Sequence, residues 1–60
     1  MEQDWKKCIK FIDEIGTVFE RVGGNPNYDY RFVTVDGDTD FCTEDQMVDW
    51  GVQLDTTIDC

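Results

Sequence analysis

Sixty residues with a formal net charge of −9, 40% apolar and 13% aromatic side chains and no histidine describe one small folded domain, residues 1–60, rather than a disordered tail. So short a chain leaves little space for a catalytic pocket beside a core. It carries no Gly-x-Ser-x-Gly motif, no phosphate loop, no histidine to act as base and no cysteine with a visible basic partner to lower its pKa, so neither an enzyme nor a cofactor is expected. Its acidity opposes direct binding to nucleic acid or to anionic lipid, and favours basic protein surfaces.

Along the first third, Trp5, Cys8, Ile9, Ile12, Ile15, Val18, Phe19 and Val22 recur at the i, i+3, i+4, i+7 spacing of an amphipathic helix. The spacing predicts a long helix from about residue 3 to residue 22, stopped by Gly23-Gly24 and Pro26. Gly16 inside it costs about 1 kcal/mol relative to alanine. A break there, with "TVFERV" as a strand, is the competing reading, and the continuous stripe favours the helix.

"NYDYRFVTV" alternates Tyr28, Tyr30, Phe32 and Thr34 with Asp29, Arg31, Val33 and Val35, the period of a strand. Asp36-Gly37 has the composition of a two-residue hairpin turn, which sets Phe32 opposite Phe41, Thr34 opposite Thr39 and Val35 opposite Asp38. Thr43 and Gln46 then have capping-box spacing, with Glu44 and Asp45 in the first turn of a second helix that Gly51 ends. Met47, Val48 and Trp50 of that helix are expected to face inward. "VQLDTTI" closes the chain as a strand with Val52, Leu54, Thr56 and Ile58 inward. The order α-β-β-α-β predicts an α+β mini-domain, a long N-terminal helix on a small, mostly antiparallel sheet. Trp5, Phe11, Phe19, Phe32, Phe41 and Trp50 form the expected core.

Three cysteines without a CxxC pair or a histidine argue against a disulfide scaffold or a zinc site. Cys8 and Cys42 read as small buried hydrophobes and Cys60 as exposed. There is no basic segment leading into an apolar one and no apolar run near ~18 residues, which points to a soluble, intracellular, cytoplasmic protein. Asp36, Asp38 and Asp40 suggest a calcium loop, but Phe41 and Met47 stand where such a loop requires glycine and a bidentate glutamate. No metal site is expected.

Charge is divided unevenly. Residues 1–31 hold six acids and five bases, whereas residues 32–60 hold eight acids and no base. Alternate strand residues stand roughly 6.7 Å apart, so Asp38 and Asp40 project on one side like charges along a polymer, and Glu44 and Asp45 extend the row. Such a row is suited to a groove built for phosphates. In size, acidity and lack of enzymatic motifs the chain resembles, in type, the small virus-encoded inhibitors of host defence and DNA-handling enzymes: anti-CRISPR, anti-restriction and uracil-glycosylase inhibitor proteins. That resemblance is one of composition, and it implies a nucleic-acid mimic that binds a basic nucleic-acid-binding protein. The expected contact residues are Asp36, Asp38, Asp40, Glu44, Asp45, Asp49 and Asp55. The alternative is an interaction module using an apolar patch around Tyr28 and Tyr30, with the acids serving solubility. A homodimer is a further route by which so small a domain completes its core.

Overall fold

In the computed structural model, which describes residues 4–60, the segment expected as one long helix is instead a 3-10 turn, Asp4–Lys7, followed by a β-hairpin. Residue 3, where that helix was expected to begin, lies outside the described residues. Strand β1 (Lys10–Asp13) alternates half-buried Lys10 and Ile12 with buried Phe11 and Asp13, and β2 (Val18–Arg21) buries Phe19 between Val18 and Glu20. This period of two is written in β-branched and aromatic residues, which favour strands. The helical stripe matched the same residues, but helix would have left Phe11 near its border. Pairing of Phe11 with Phe19 across the hairpin buries both rings, stacked 5.2 Å apart.

The competing break at Gly16 is the observed one, and Asp13 makes it. Its Oδ1 accepts hydrogen bonds from the amides of Ile15 (3.1 Å), Gly16 (3.0 Å) and Thr17 (2.8 Å), while the Asp13 and Thr17 backbones close the loop. Gly16 sits at φ 100°, a left-handed conformation that a side chain disfavours. A three-residue loop ending in such a glycine is a common hairpin connection.

The second hairpin repeats the device. The Thr34 amide donates to the Asp38 carbonyl, Thr34 Oγ1 accepts from the Asp38 amide at 3.1 Å, and Gly37 takes φ 92°. The loop is therefore Val35-Asp36-Gly37 rather than the two-residue turn expected from Asp36-Gly37. Strands β3 (Tyr30–Val33) and β4 (Thr39–Cys42) pair Tyr30 with Cys42, Arg31 with Phe41, Phe32 with Asp40 and Val33 with Thr39. The expected register is off by one residue, and one residue turns a strand over. Phe41 consequently lies on the outer face, 41% exposed, and Cys42 occupies the core at 0%.

Helix α1 (Glu44–Trp50) has the expected capping box, with reciprocal bonds between Thr43 and Gln46, and ends at Gly51. Met47 is buried, but Val48 and Trp50, expected inward, are 38% and 53% exposed. A seven-residue helix anchored at one end presents only one side chain fully to the core.

The final strand, β5 (Leu54–Asp59), runs antiparallel beside β1, giving the sheet order β4-β3-β2-β1-β5 with every pairing antiparallel. Two register shifts along β1 break the alternation expected for "VQLDTTI", so Thr57 rather than Thr56 stands opposite Phe11, and Ile58 is 50% exposed. The fold is thus a five-stranded antiparallel sheet with one short helix near the C-terminus, in place of the α-β-β-α-β arrangement with a long N-terminal helix.

Trp5, Phe11, Phe19, Tyr30, Cys42, Met47 and Val52 form one core with Cys8. The Trp5 indole N–H donates to the Val52 carbonyl at 2.9 Å and so ties the 3-10 turn to the far end of the chain. A second tie is covalent, because the Lys10–Asp59 register brings Cys60 to Cys8 and the two form a disulfide spanning 52 positions. Cys8 is therefore a cross-linked cysteine rather than the free buried thiol expected.

Asp13→Ala is expected to destabilise the fold by about 2–4 kcal/mol, since three amides of a partly buried turn lose a charged acceptor; Asp13→Asn, which keeps one oxygen, costs less. Urea unfolding followed by tryptophan fluorescence measures both. Reducing the Cys8–Cys60 bond is expected to remove up to about 4 kcal/mol by freeing a loop of this length in the unfolded chain. Thermal melts with and without reductant report it, and Cys60→Ser should match the reduced protein.

Candidate functional site

The acids expected to face a partner run along one continuous stretch of chain. Asp36 and Asp38 flank the Gly37 turn, Asp40 lies on edge strand β4, Asp45 and Asp49 on α1, and Asp55 on edge strand β5, all exposed. Two of these carboxylates are held by neighbours in sequence. Asp40 Oδ1 accepts from the Phe41 amide at 2.8 Å, and Asp55 Oδ2 from the Thr56 hydroxyl at 3.0 Å. Glu44 behaves differently from the rest. It is half-buried, its carboxylate pairs with Lys6 Nζ at 3.5 Å, and its amide donates to Asp29 Oδ2.

Among the described residues, three of the five cations of the first half have side-chain partners: Lys6 reaches Glu44 of the second half, while Arg21 and Arg31 are held within the first. Arg31 pairs with Glu20 across β2 and β3 at 2.8 Å, and Lys10 stands opposite both Glu20 and Asp59 in register. Arg21 donates to the Lys6 carbonyl and, at 3.0 Å, to the Tyr30 hydroxyl, with its guanidinium over the Tyr30 ring. The hydrogen bond to Tyr30 holds the Arg21 guanidinium above its ordinary pKa despite slight burial, with Glu44 and Asp29 adding to it. Arg21, Tyr30, Asp29 and Glu44 thus line one open cleft with Ile9, one cation beside two acids.

Of the two tyrosines expected as anchors, only Tyr28 is available. It is 41% exposed and packs its ring 5.7 Å from Phe41, whereas Tyr30 is fully buried between Trp5 and Phe11. Among the described residues, acids and cysteines gather in no group of three or more suited to a metal ion, so the acidic surface is a spread of single charges. Among them too, no helix is long and apolar enough to cross a membrane.

Sequence reasoning passed over Asp13 and Trp50 as site residues. They lie with Ile15, Phe19 and Phe32 around a cavity of about 290 Å³ between the first hairpin turn and the end of α1. The signal for Asp13 was present in the shared pattern of "DEIGT" and "TVDGD": an oxygen-bearing side chain, two residues, glycine, then a strand.

Cys42 is buried at the far side of the core. Burial pushes its thiol up to about 11, helped by the negative charges of Asp29 and Asp40. No protein family, curated protein or solved structure matches this chain.

The folded protein should therefore hold the Cys42 proton to well above neutrality and react with thiol reagents only after unfolding. A raised thiol pKa makes the native state keep a proton that the unfolded chain releases above about 9, so stability should fall as pH rises from about 9 toward about 11. Cys42→Ala should flatten that decline in denaturant titrations at successive pH values.

Proposed function

We propose that the protein is a non-enzymatic, acidic binder of the basic, nucleic-acid-binding surface of another protein, where it takes the place of a phosphate backbone. One observation carries the reading: Asp36, Asp38, Asp40, Asp45, Asp49 and Asp55 are exposed with no ion-pair partner among the described residues, while cations of the first half are engaged elsewhere. Unpaired carboxylates repel one another within a small fold, and a basic groove relieves that repulsion on contact. Glu44, already paired with Lys6, contributes less than its neighbours. An inhibitor of a host defence or DNA-handling enzyme, of the kind viruses encode, has this chemistry, and the host cytoplasm is where it would act.

The Tyr28–Phe41 pair favours a second reading. Two half-exposed rings 5.7 Å apart on the edge of the sheet form an apolar contact for a protein partner, with the acids serving solubility.

Affinity capture from host extract supplies the partner, and two measurements then separate the readings. If the exposed acids carry binding, affinity falls at least about tenfold between about 50 and about 500 mM salt and nucleic acid competes. The paired change Asp38→Asn with Asp40→Asn then weakens binding more than Tyr28→Ala. An affinity flat in salt, with Tyr28→Ala the more damaging, would sink the mimic in favour of the apolar patch.

A further inference from the structure

The acidic row leaves the cavity beside Trp50 unexplained. Its walls are mostly apolar, formed by Ile15, Phe19, Phe32 and Trp50, with the Trp50 ring edge-on to Phe32 at 5.8 Å. Ile15 and Trp50 are 77% and 53% exposed, a large apolar area for so small a domain to leave in water. Among these walls lies a carboxylate with capacity to spare. Asp13 is only 5% exposed and lines the cavity, yet the three turn amides all go to Oδ1, leaving Oδ2 without a hydrogen-bond partner among the described residues.

Glu14 adds a second carboxylate to the lining, and α1 ends against the cavity with no basic residue in its last turn. No lysine or arginine belongs to the lining. Aromatic and aliphatic walls with an uncompensated negative side select a flat, cationic group. A neutral apolar guest would cover Asp13 Oδ2, which reaches the cavity without a donor from the described residues, and supply none of its own. An ammonium is a compact, strongly hydrated charge that covers little ring surface, whereas a guanidinium both stacks on an aromatic ring and presents paired N–H groups to a carboxylate.

We infer that this cavity receives one arginine side chain of the basic partner, stacked on Trp50 with its N–H groups toward Asp13 Oδ2 and the Glu14 carboxylate. The inference rests on the reading above and assigns it an anchoring contact apart from the row of exposed acids. Its chemistry is nevertheless testable without the partner.

The experiment is an NMR titration of the full chain with a blocked glycine-arginine-glycine tripeptide and with its citrulline and lysine counterparts. The arginine peptide is expected to shift the Trp50 indole, the Ile15 methyls and the Gly51 amide. It should bind about 3- to 30-fold more tightly than the citrulline peptide, the span set by a partly to fully desolvated cation on an aromatic face. Trp50→Ala, at a half-exposed position, should lose a similar factor with the sheet intact by circular dichroism, and Glu14→Gln should lose a smaller one. Equal binding of citrulline or lysine overturns the assignment. So do shifts confined to residues 36–49 and unchanged in Trp50→Ala, although those would leave the acidic-surface reading standing. Arginine-selective shifts at Trp50, with a captured partner whose affinity ignores salt, would keep the pocket and remove that reading instead.

Discussion

The fold depends on one carboxylate. Asp13 closes the first hairpin by accepting three amides on a single oxygen, and that closure fixes the register that stacks Phe11 on Phe19 and leaves β1 between β2 and β5 as their shared platform. A charged acceptor is suited to the task because successive amides in a tight loop point inward together, and a carboxylate satisfies several at once where a neutral side chain satisfies fewer. The cost is a nearly buried negative group. The amides offset it, and the same group then colours the cavity next to it.

From that platform the rest follows by register. Phe11, Phe19, Phe32 and Asp40 form one row across the inner face, from β1 through β2 and β3 to the β4 edge. On the outer face Lys10, Glu20 and Arg31 alternate in sign across three strands, beside an aliphatic row of Ile12, Val18 and Val33. Such cross-strand pairs are the unit of sheet stabilisation. Arg31 is paired with Glu20 within this ladder, whereas Lys6 is paired with Glu44 outside it.

Local, chemically specific signals were legible in the sequence. The capping box of Thr43 and Gln46 and the stop at Gly51 stand as expected, and the strand expected over "NYDYRFVTV" is present in its shorter central part, Tyr30–Val33. What misled was periodicity over residues 5–22, where eight apolar positions satisfy a helical stripe and two short strands around a turn satisfy it nearly as well. The deciding term was a buried polar residue, Asp13, which a hydrophobic pattern does not count. The hairpin error had a similar origin: Asp36-Gly37 suggested a two-residue loop, whereas Thr34 supplies a side-chain cap that makes it three and inverts Phe41 and Cys42. The Cys8–Cys60 pairing depended on β5 reaching β1, a long-range fact with no local signature. Asp36, Asp38, Asp40, Asp45, Asp49 and Asp55 lie at the surface, whereas Glu44 is half-buried and Asp13 is drawn inside by the three amides it accepts.

The sheet order has one more consequence. Its two outermost strands, β4 and β5, carry Asp40 on one side and Asp55 and Asp59 on the other, and neither bears a lysine or arginine. An open edge offers unpaired backbone groups to any extended chain, including another copy of the same protein. Here a second copy arriving in register would bring aspartates against aspartates with no counter-charge, so repulsion opposes sheet-to-sheet growth at either edge.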